Sequence, residues 1–292
     1  MTSASTPADP AAAPEWILSL SCPDQGGIVY AVTGALVALD ATITESQQFG
    51  SPDTRRFFLR LQFRTHAGEE EIRAALEPSA QRLGMEFELA PAARRMRTLI
   101  MVSKTAHCLN TLLFRRDAGM LPIDVVGVIG NHPDLEPMAQ FYGVPFFHVP
   151  ARPDDKAGAE ARMLELVDEL NAELVVLARY MQILSPALTE AMGGRIINIH
   201  HAFLPSFKGA KPYQRAHERG VKLIGATAHY VTADLDEGPI IEQDVTRVTH
   251  AQSNAEFVQQ GQEVEASVLA RAVRWHAERR VILDGKRTVV FS

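Results

Sequence analysis

Five short runs of almost unbroken apolar residues constrain this chain more than any other feature. They are RTLIMVS (97–103), IDVVGVIG (123–130), PFFHVP (145–150), LVVLA (174–178) and RIINI (195–199). Each has the length of a strand, and none alternates polar with apolar residues, so each must be covered on both faces. Helical stretches lie between them. AHCLNTLLFRRDAG (106–119) is one, and short helices are expected near 135–142 and 185–192. AGAEARMLELVDELN (157–171) is another, with Met163, Leu166, Val167 and Leu170 on one face. Buried strands alternating with helices predict a doubly wound, mostly parallel, Rossmann-like α/β sheet. Ligands of such sheets bind outside the carboxyl ends of the strands.

The amino-terminal part has a different grammar. WILSLSC (16–22) reads as a strand and GGIVYAVTGALVALD (26–40) as a helix. ATITESQQF (41–49) and RRFFLRLQF (55–63) read as strands joined by the turn-forming Gly50-Ser-Pro-Asp53. In the second of them Phe57, Leu59, Leu61 and Phe63 alternate with Phe58, Arg60, Gln62 and Arg64, the period of a sheet covered on one face. A helix at 68–84, acidic in its first turn, and a strand at 85–90 complete a βαββαβ unit of ferredoxin-like order. The expected organisation is a disordered Ala/Pro/Ser-rich tail (1–13), a small domain (14–91), and a larger domain (97–292) that closes with the strand pair VILDGKRTVVF.

The bulk properties exclude several classes. A chain of 292 residues with net charge −6 is no bulk-electrostatic nucleic-acid binder. The start of the chain has neither a basic nor an apolar leader region, and the apolar runs are too short to span a bilayer. The two cysteines, Cys22 and Cys108, fit no metal spacing or disulfide framework. A cytoplasmic protein in a reducing compartment is expected.

The chemistry concentrates where RIINI ends in His200-His201. Successive strand side chains point to opposite faces, so the two histidines are not expected to share an ion, whereas Asn198 and His200 face the same way. A second segment, GATAHYVTADLDEGPII (225–241), starts as a strand carrying His229 and breaks into an acidic loop with Asp234, Asp236 and Glu237. A carboxylate on that loop could reach His200 if the two strands are neighbours. Read alone, the loop is better explained by turn chemistry and solvation.

Together, NIHHAFLPSFKGAKPY and GATAHYVTADLDEGPII resemble the formyltransferase family that uses 10-formyltetrahydrofolate. The resemblance implies a catalytic triad at Asn198, His200 and Asp236 and a folate-binding strand and loop in VVLARYMQILSP (175–186). Met181, Gln182, Ile183 and Leu184 are then substrate contacts, with His229 in support. The unit at 14–91 resembles ACT domains, beginning at Cys-Pro-Asp-Gln-Gly (22–26). That resemblance implies a homo-oligomer and a small amino-acid effector, glycine or methionine, near Asp24, Gln25, Gly26 and Gly27. From residue 14 onward the chain looks like the hydrolytic branch of the family. This implies hydrolysis of 10-formyltetrahydrofolate to formate and tetrahydrofolate, feeding formate to purine biosynthesis and balancing one-carbon folate pools.

Such chemistry needs donors where the tetrahedral oxyanion forms, each able to contribute about 3–4 kcal/mol. Asn198 and His200 are the expected donors, and His200 the expected acid for the leaving nitrogen. Asp236 would support the imidazolium and could take a proton from water. No metal and no cofactor is called for, the folate being substrate. The segment Ser103-Lys104-Thr105-Ala106-His107 lacks the glycines of a phosphate cradle, which favours water over a phosphorylated amine as acceptor. Lys208 and Lys211, flanking Gly209, belong either to a solvated loop or to a flexible lid whose lysines attract the folate glutamate tail. Transfer to an amine acceptor, or a catalytically silent folate or amino-acid sensor, remain the alternatives.

Overall fold

The computed structural model describes residues 13–152, 155–204 and 212–292. Two compact units are present: one runs through Arg94 and also takes up Glu278–Ser292, and the other is Arg95–Ala277. The expected tail lies outside the described residues, apart from Ala13.

The first unit is built from β1 (Glu15–Pro23), α1 (Ile28–Val37), β2 (Thr42–Ser51), β3 (Arg56–Arg64), α2 (Glu69–Leu83) and β4 (Glu86–Pro91). Its antiparallel sheet has the order β2-β3-β1-β4, as expected of a split βαβ arrangement. Leu18 pairs with Leu61 on one side and Leu89 on the other, and all three join Val32, Leu36, Ile72 and Leu76 in one core. Helix α2 begins where the Gly68 N–H donates to the Glu71 carboxylate, and it ends at Gly84, whose φ of 63° suits glycine. Helix α1 stops at Val37 and β2 continues through Ser51, so the expected turn is displaced to 52–55.

One expectation fails here. Strand β3 is not covered on one face only, because Phe58 and Arg60 are as buried as Leu59 and Leu61. The reason lies at the far end of the chain. The terminal hairpin, β12 (Val281–Asp284) and β13 (Arg287–Val290), belongs to this unit and not to the larger domain as expected. Arg60, 1% exposed, donates to Glu45 (2.8 Å) and to the Glu278 carbonyl (3.2 Å), and Arg280 donates to the same Glu45 (2.8 Å). Arg279–Glu88 (2.7 Å) and Arg287–Asp53 (2.9 Å) add further ion pairs. Separations of 191 to 235 residues hide this pairing from any local pattern.

The second unit carries a seven-stranded sheet of order β11-β10-β9-β8-β5-β6-β7. Its strands are β5 (Met96–Val102), β6 (Ile123–Gly130), β7 (Phe146–His148), β8 (Leu174–Leu177), β9 (Ile196–His200), β10 (Leu223–Tyr230) and β11 (Ile240–Arg247). Pairings from β7 through β9 are parallel, and β10 and β11 add antiparallel to the edge. Its helices are α3 (His107–Asp117), α4 (Glu136–Phe141), α5 (Lys156–Glu169), α6 (Pro186–Ala191), α7 (Pro212–Arg219) and α8 (Asn254–Ala277). Helix α8 was not foreseen, because its polar-rich sequence hides a buried stripe through Phe257, Gly261, Glu265, Leu269 and Val273. Among the described residues no helix is long and apolar enough to cross a membrane. The chain leaves β5 toward β6 on one side and returns at β8 on the other. That reversal opens a crevice at the carboxyl ends of β5 and β8.

Hydrogen bonds from Arg280 and Arg60 hold the Glu45 carboxyl below its usual range; burial opposes them and loses. Replacing Glu45 by Gln leaves a fully buried guanidinium without its counter-charge. Because Glu45 is partly solvated, the expected loss is about 1–2 kcal/mol near neutral pH in a urea titration, less than a fully buried pair would give. The folded-state pKa is depressed, so this contribution is present above the unfolded value, near 4.3, and fades as pH falls below it. The gap between wild type and Glu45→Gln should therefore narrow below about pH 4.

Candidate active site

The crevice is a cavity of about 740 Å³, and Asn198, His200, His229, Asp236 and the 181–184 segment all line it. Sequence order alone does not bring them together; the β9–β10 pairing does. In that antiparallel register His229 stands opposite Asn198 and Thr227 opposite His200. Thr227 then fixes the chain beyond β9, donating to the Ala202 carbonyl (3.0 Å) and accepting from the Leu204 N–H (3.1 Å).

Asp236 reaches His200 from the β10–β11 connection. The Tyr230 N–H donates to the Pro239 carbonyl at the base of that loop (2.9 Å), and Asp236 itself adopts φ 57°, a left-handed conformation that aspartate tolerates better than most residues. His200 Nδ1 lies 3.3 Å from Asp236 Oδ2. A carboxylate there can only accept, so Nδ1 carries the hydrogen and Nε2 is turned to the cavity. Nε2 is buried and has no hydrogen-bond partner among the described residues. The second histidine completes the frame. His229 Nδ1 donates to the Tyr230 carbonyl (2.9 Å), leaving Nε2 to accept from the Asn198 amide (3.2 Å). Asn198 is thereby oriented with its second amide hydrogen free for a ligand.

The hydrogen bond from His200, with the His229 ring 3.7 Å away in support, holds the Asp236 carboxyl far below the usual carboxylate range against the opposing effect of burial. A carboxylate so stabilised orients and charge-balances His200 first. Its expected second task, accepting a proton from water, is weakened by the same shift.

The supposed opposition of His200 and His201 does not hold. Strand β9 ends at His200, so alternation no longer applies to the next residue, and the two rings lie 5.2 Å apart and line the same cavity. Burial and the nearby Arg179 charge push His201 down to about 4, so it is neutral near pH 7.

The 178–185 segment is pinned at both ends. The Met181 N–H donates to Ser103 Oγ (2.9 Å), the Ser185 N–H donates to Glu160 (2.8 Å), and Ser185 Oγ caps α6 through the Leu188 N–H. Met181 and Ile183 are 57% and 60% exposed, which offers an apolar platform for a planar ligand. Lys208, Lys211 and Gly209 lie outside the described residues. Asp24, Gln25, Gly26 and Gly27 sit in the first unit, at the β1–α1 turn. There Gly27 has φ 88° and Gln25 Nε2 donates to the Leu83 carbonyl (3.0 Å), giving Gln25 a structural role.

A second polar cluster in the cavity wall was not foreseen. Glu265 of α8 is 1% exposed, accepts from Tyr213 Oη (2.6 Å), and lies 2.8 Å from His107 Nε2 and 3.3 Å from Arg179 Nε. Burial raises its pKa, but the hydrogen bond from His107, the Arg179 charge and the hydrogen bond from Tyr213 together bring it below the ordinary value. A charged residue in the apolar stripe of α8 was the one signal available. Ligand atoms of His107, Cys108 and Glu265 lie within 4.8 Å of one another, the one such group among the described residues. Burial pushes the Cys108 thiol well up, and the Arg179 guanidinium already neutralises Glu265, so the cluster suits a cation poorly.

A polar Asn–His–Asp group at a switch-point crevice of a doubly wound sheet, beside an apolar platform, defines an enzyme that acts on a polarised carbonyl of a planar ligand. The chain belongs to the formyl transferase family, whose model matches residues 96–273. It is 50% identical over 277 residues to the formyltetrahydrofolate deformylase of Corynebacterium sp. (strain P-1), covering 94% of this chain and 97% of that one. It is 47% identical to the enzyme of that name from Bacillus subtilis (strain 168), covering 94% and 93%. The crystal structure of formyltetrahydrofolate deformylase from Burkholderia mallei ATCC 23344 superposes with a TM-score of 0.92 at 49% identity, covering 96% of this chain and all of that one.

Gly238 follows Asp236 by two residues, and a β-carbon there would collide with the Tyr230 carbonyl oxygen. Gly238→Ala should displace the loop and separate Asp236 from His200. A fall in turnover of at least about tenfold is expected, with little change in melting temperature. Turnover equal to wild type would show that the loop geometry is not needed.

Proposed function

We propose that this chain hydrolyses 10-formyltetrahydrofolate to formate and tetrahydrofolate. The observation that carries it is the convergence of Asn198, His200 and Asp236 beside the 181–184 platform, in a chain half identical to proteins named for that activity. The pterin stacks on Met181 and Ile183, and the formyl oxygen faces the free Asn198 amide hydrogen. As water attacks the formyl carbon its proton passes to His200 Nε2, and the tetrahedral oxyanion is stabilised by Asn198 and the imidazolium so formed. His200 Nε2 delivers a proton to the departing folate nitrogen, with Asp236 holding the ring through Nδ1. The reaction calls for no metal and no cofactor. Lys208 is assigned to the folate tail on charge alone.

The expected behaviour is release of formate from 10-formyltetrahydrofolate in buffer with a strong chelator and no amine present, at the rate seen without chelator. Asp236→Asn should keep substrate binding and lose at least about a hundredfold in turnover. Formate release that needs an added amine would favour a transferase, and binding without release would favour a sensor. Recovery of a chelated enzyme by zinc would overturn the metal-free reading.

The first unit is read as an ACT-type regulatory domain that makes the protein a homo-oligomer, supported by its βαββαβ order and its exposed edge strand β2. The assigned setting is the cytoplasm, where the two free buried cysteines stay reduced and the formate supplies purine biosynthesis while folate pools are balanced. Glycine or methionine is the assigned effector at Asp24–Gly27. Calorimetric titration of the full chain should detect one of them, with a rate change corresponding to about 1–3 kcal/mol of coupling. No heat and no rate change with either amino acid would leave the unit a purely structural element.

A further inference from the structure

Hydrolysis poses a selection problem that the triad does not solve. The same formyl carbon, activated in the same way, would react faster with an amine than with water, so a hydrolase must keep amines out. In this cavity a second wall of side chains adjoins the catalytic histidine. The His201 ring lies 5.2 Å from that of His200 and 6.4 Å from that of Tyr213, and Tyr213 donates to Glu265, which pairs with Arg179. Arg179, His201, Tyr213 and Glu265 all line the cavity that holds the triad.

Arg179 stands out within that wall. It lies two residues beyond the end of β8 at the switch point, with φ 64°. A non-glycine residue in that conformation costs on the order of 1 kcal/mol, and glycine would sit there without strain. The backbone thus holds a long side chain where the cheapest residue has none. Its Nε lies at ion-pair distance from Glu265 without hydrogen-bond alignment, and both Nε and Nη1 are buried with no hydrogen-bond partner among the described residues. The guanidinium is anchored at one edge and presents donors to the cavity at another. The carboxylate that an incoming ammonium or amine would seek is already occupied by Arg179, Tyr213 and His107.

We propose that Arg179, anchored by Glu265 and backed by Tyr213, is the specificity-determining residue that reserves the formyl carbon for water. It occupies the acceptor side of the cavity, satisfies the Glu265 carboxylate that would otherwise recruit an amine there, and leaves room for a water held by its free donors. The inference rests on the hydrolase reading. If Arg179 is removed, an amine nitrogen can attack the formyl carbon. The C–N bond to the folate then breaks, the amine's proton passes to the leaving nitrogen, and an N-formyl amine forms in place of formate.

The test measures partition of the formyl group. Wild type, Arg179→Gly and Arg179→Lys are each given 10-formyltetrahydrofolate and a fixed excess of glycinamide, and formate, N-formylglycinamide and tetrahydrofolate are quantified together. Wild type should give formate alone. Arg179→Gly, which relieves the backbone strain but leaves Glu265 with only Tyr213 and His107, should raise the ratio of N-formylglycinamide to formate at least about tenfold, the modest end of what a pocket change produces. Arg179→Lys, which restores length and charge, should bring the ratio back toward wild type. An unchanged ratio in Arg179→Gly overturns the inference, as does loss of all turnover, because Arg179 is given no part in activating the carbonyl; if Arg179→Gly does not fold, the double variant Arg179→Gly with Glu265→Gln, which removes both charges of the pair, takes its place with the same expected ratio. If wild type itself releases no formate without amine, the hydrolase reading fails instead.

Discussion

The antiparallel pairing of β9 with β10 is the constraint on which the site depends. Asn198 and His200 leave β9 on one face, but neither has a partner on its own strand. Register with β10 puts His229 opposite Asn198, and the loop leaving β10 returns Asp236 to His200. A slip of one residue would turn His229 to the other face and break both contacts. The pairing is itself locked by Thr227, whose hydroxyl ties the segment beyond His200 to β10 and is held in turn by Gln243 of β11 (2.9 Å).

Two kinds of polar burial serve different ends in this chain. The Arg60–Glu45–Arg280 group lies outside the lining of the site cavity and ties the last residues of the chain into the first unit. The Glu265 group is equally buried but opens on the cavity. Its members come from four separate places, α3, the β8 exit, α7 and α8. Groups so collected, in a wall that also holds His200, bear on what enters the cavity as well as on stability.

The division of labour follows from electrostatics. Asp236 is so well stabilised as a carboxylate that its main effect passes through His200, and His229 does the same for Asn198. Each group that can touch a substrate is oriented by one that need not. The Asn–His pair can therefore meet a developing oxyanion with little reorganisation.

Local pattern was enough for much of this. Unbroken apolar runs gave five parallel strands nearly to the residue, and the alternating grammar before them gave the βαββαβ order. Asn198 and His200 were readable as a same-face pair because strand period is a local property, whereas loop composition left Asp234, Asp236 and Glu237 open and only the family resemblance singled out Asp236. What needed tertiary structure was everything set by distant pairing. Arg60 looked like a solvent-facing residue until the terminal hairpin covered it. His201 looked opposed to His200 because the strand's end is decided by the Thr227 lock and not by its own sequence. Helix α8 hid its buried stripe among glutamines and glutamates, and with it Glu265. Arg179 was in plain view within VVLARYMQILSP, yet its left-handed backbone and its partner 86 positions on exist only once β8, β9 and α8 are packed. Periodicity records which face of an element is buried; only the fold decides what that face meets.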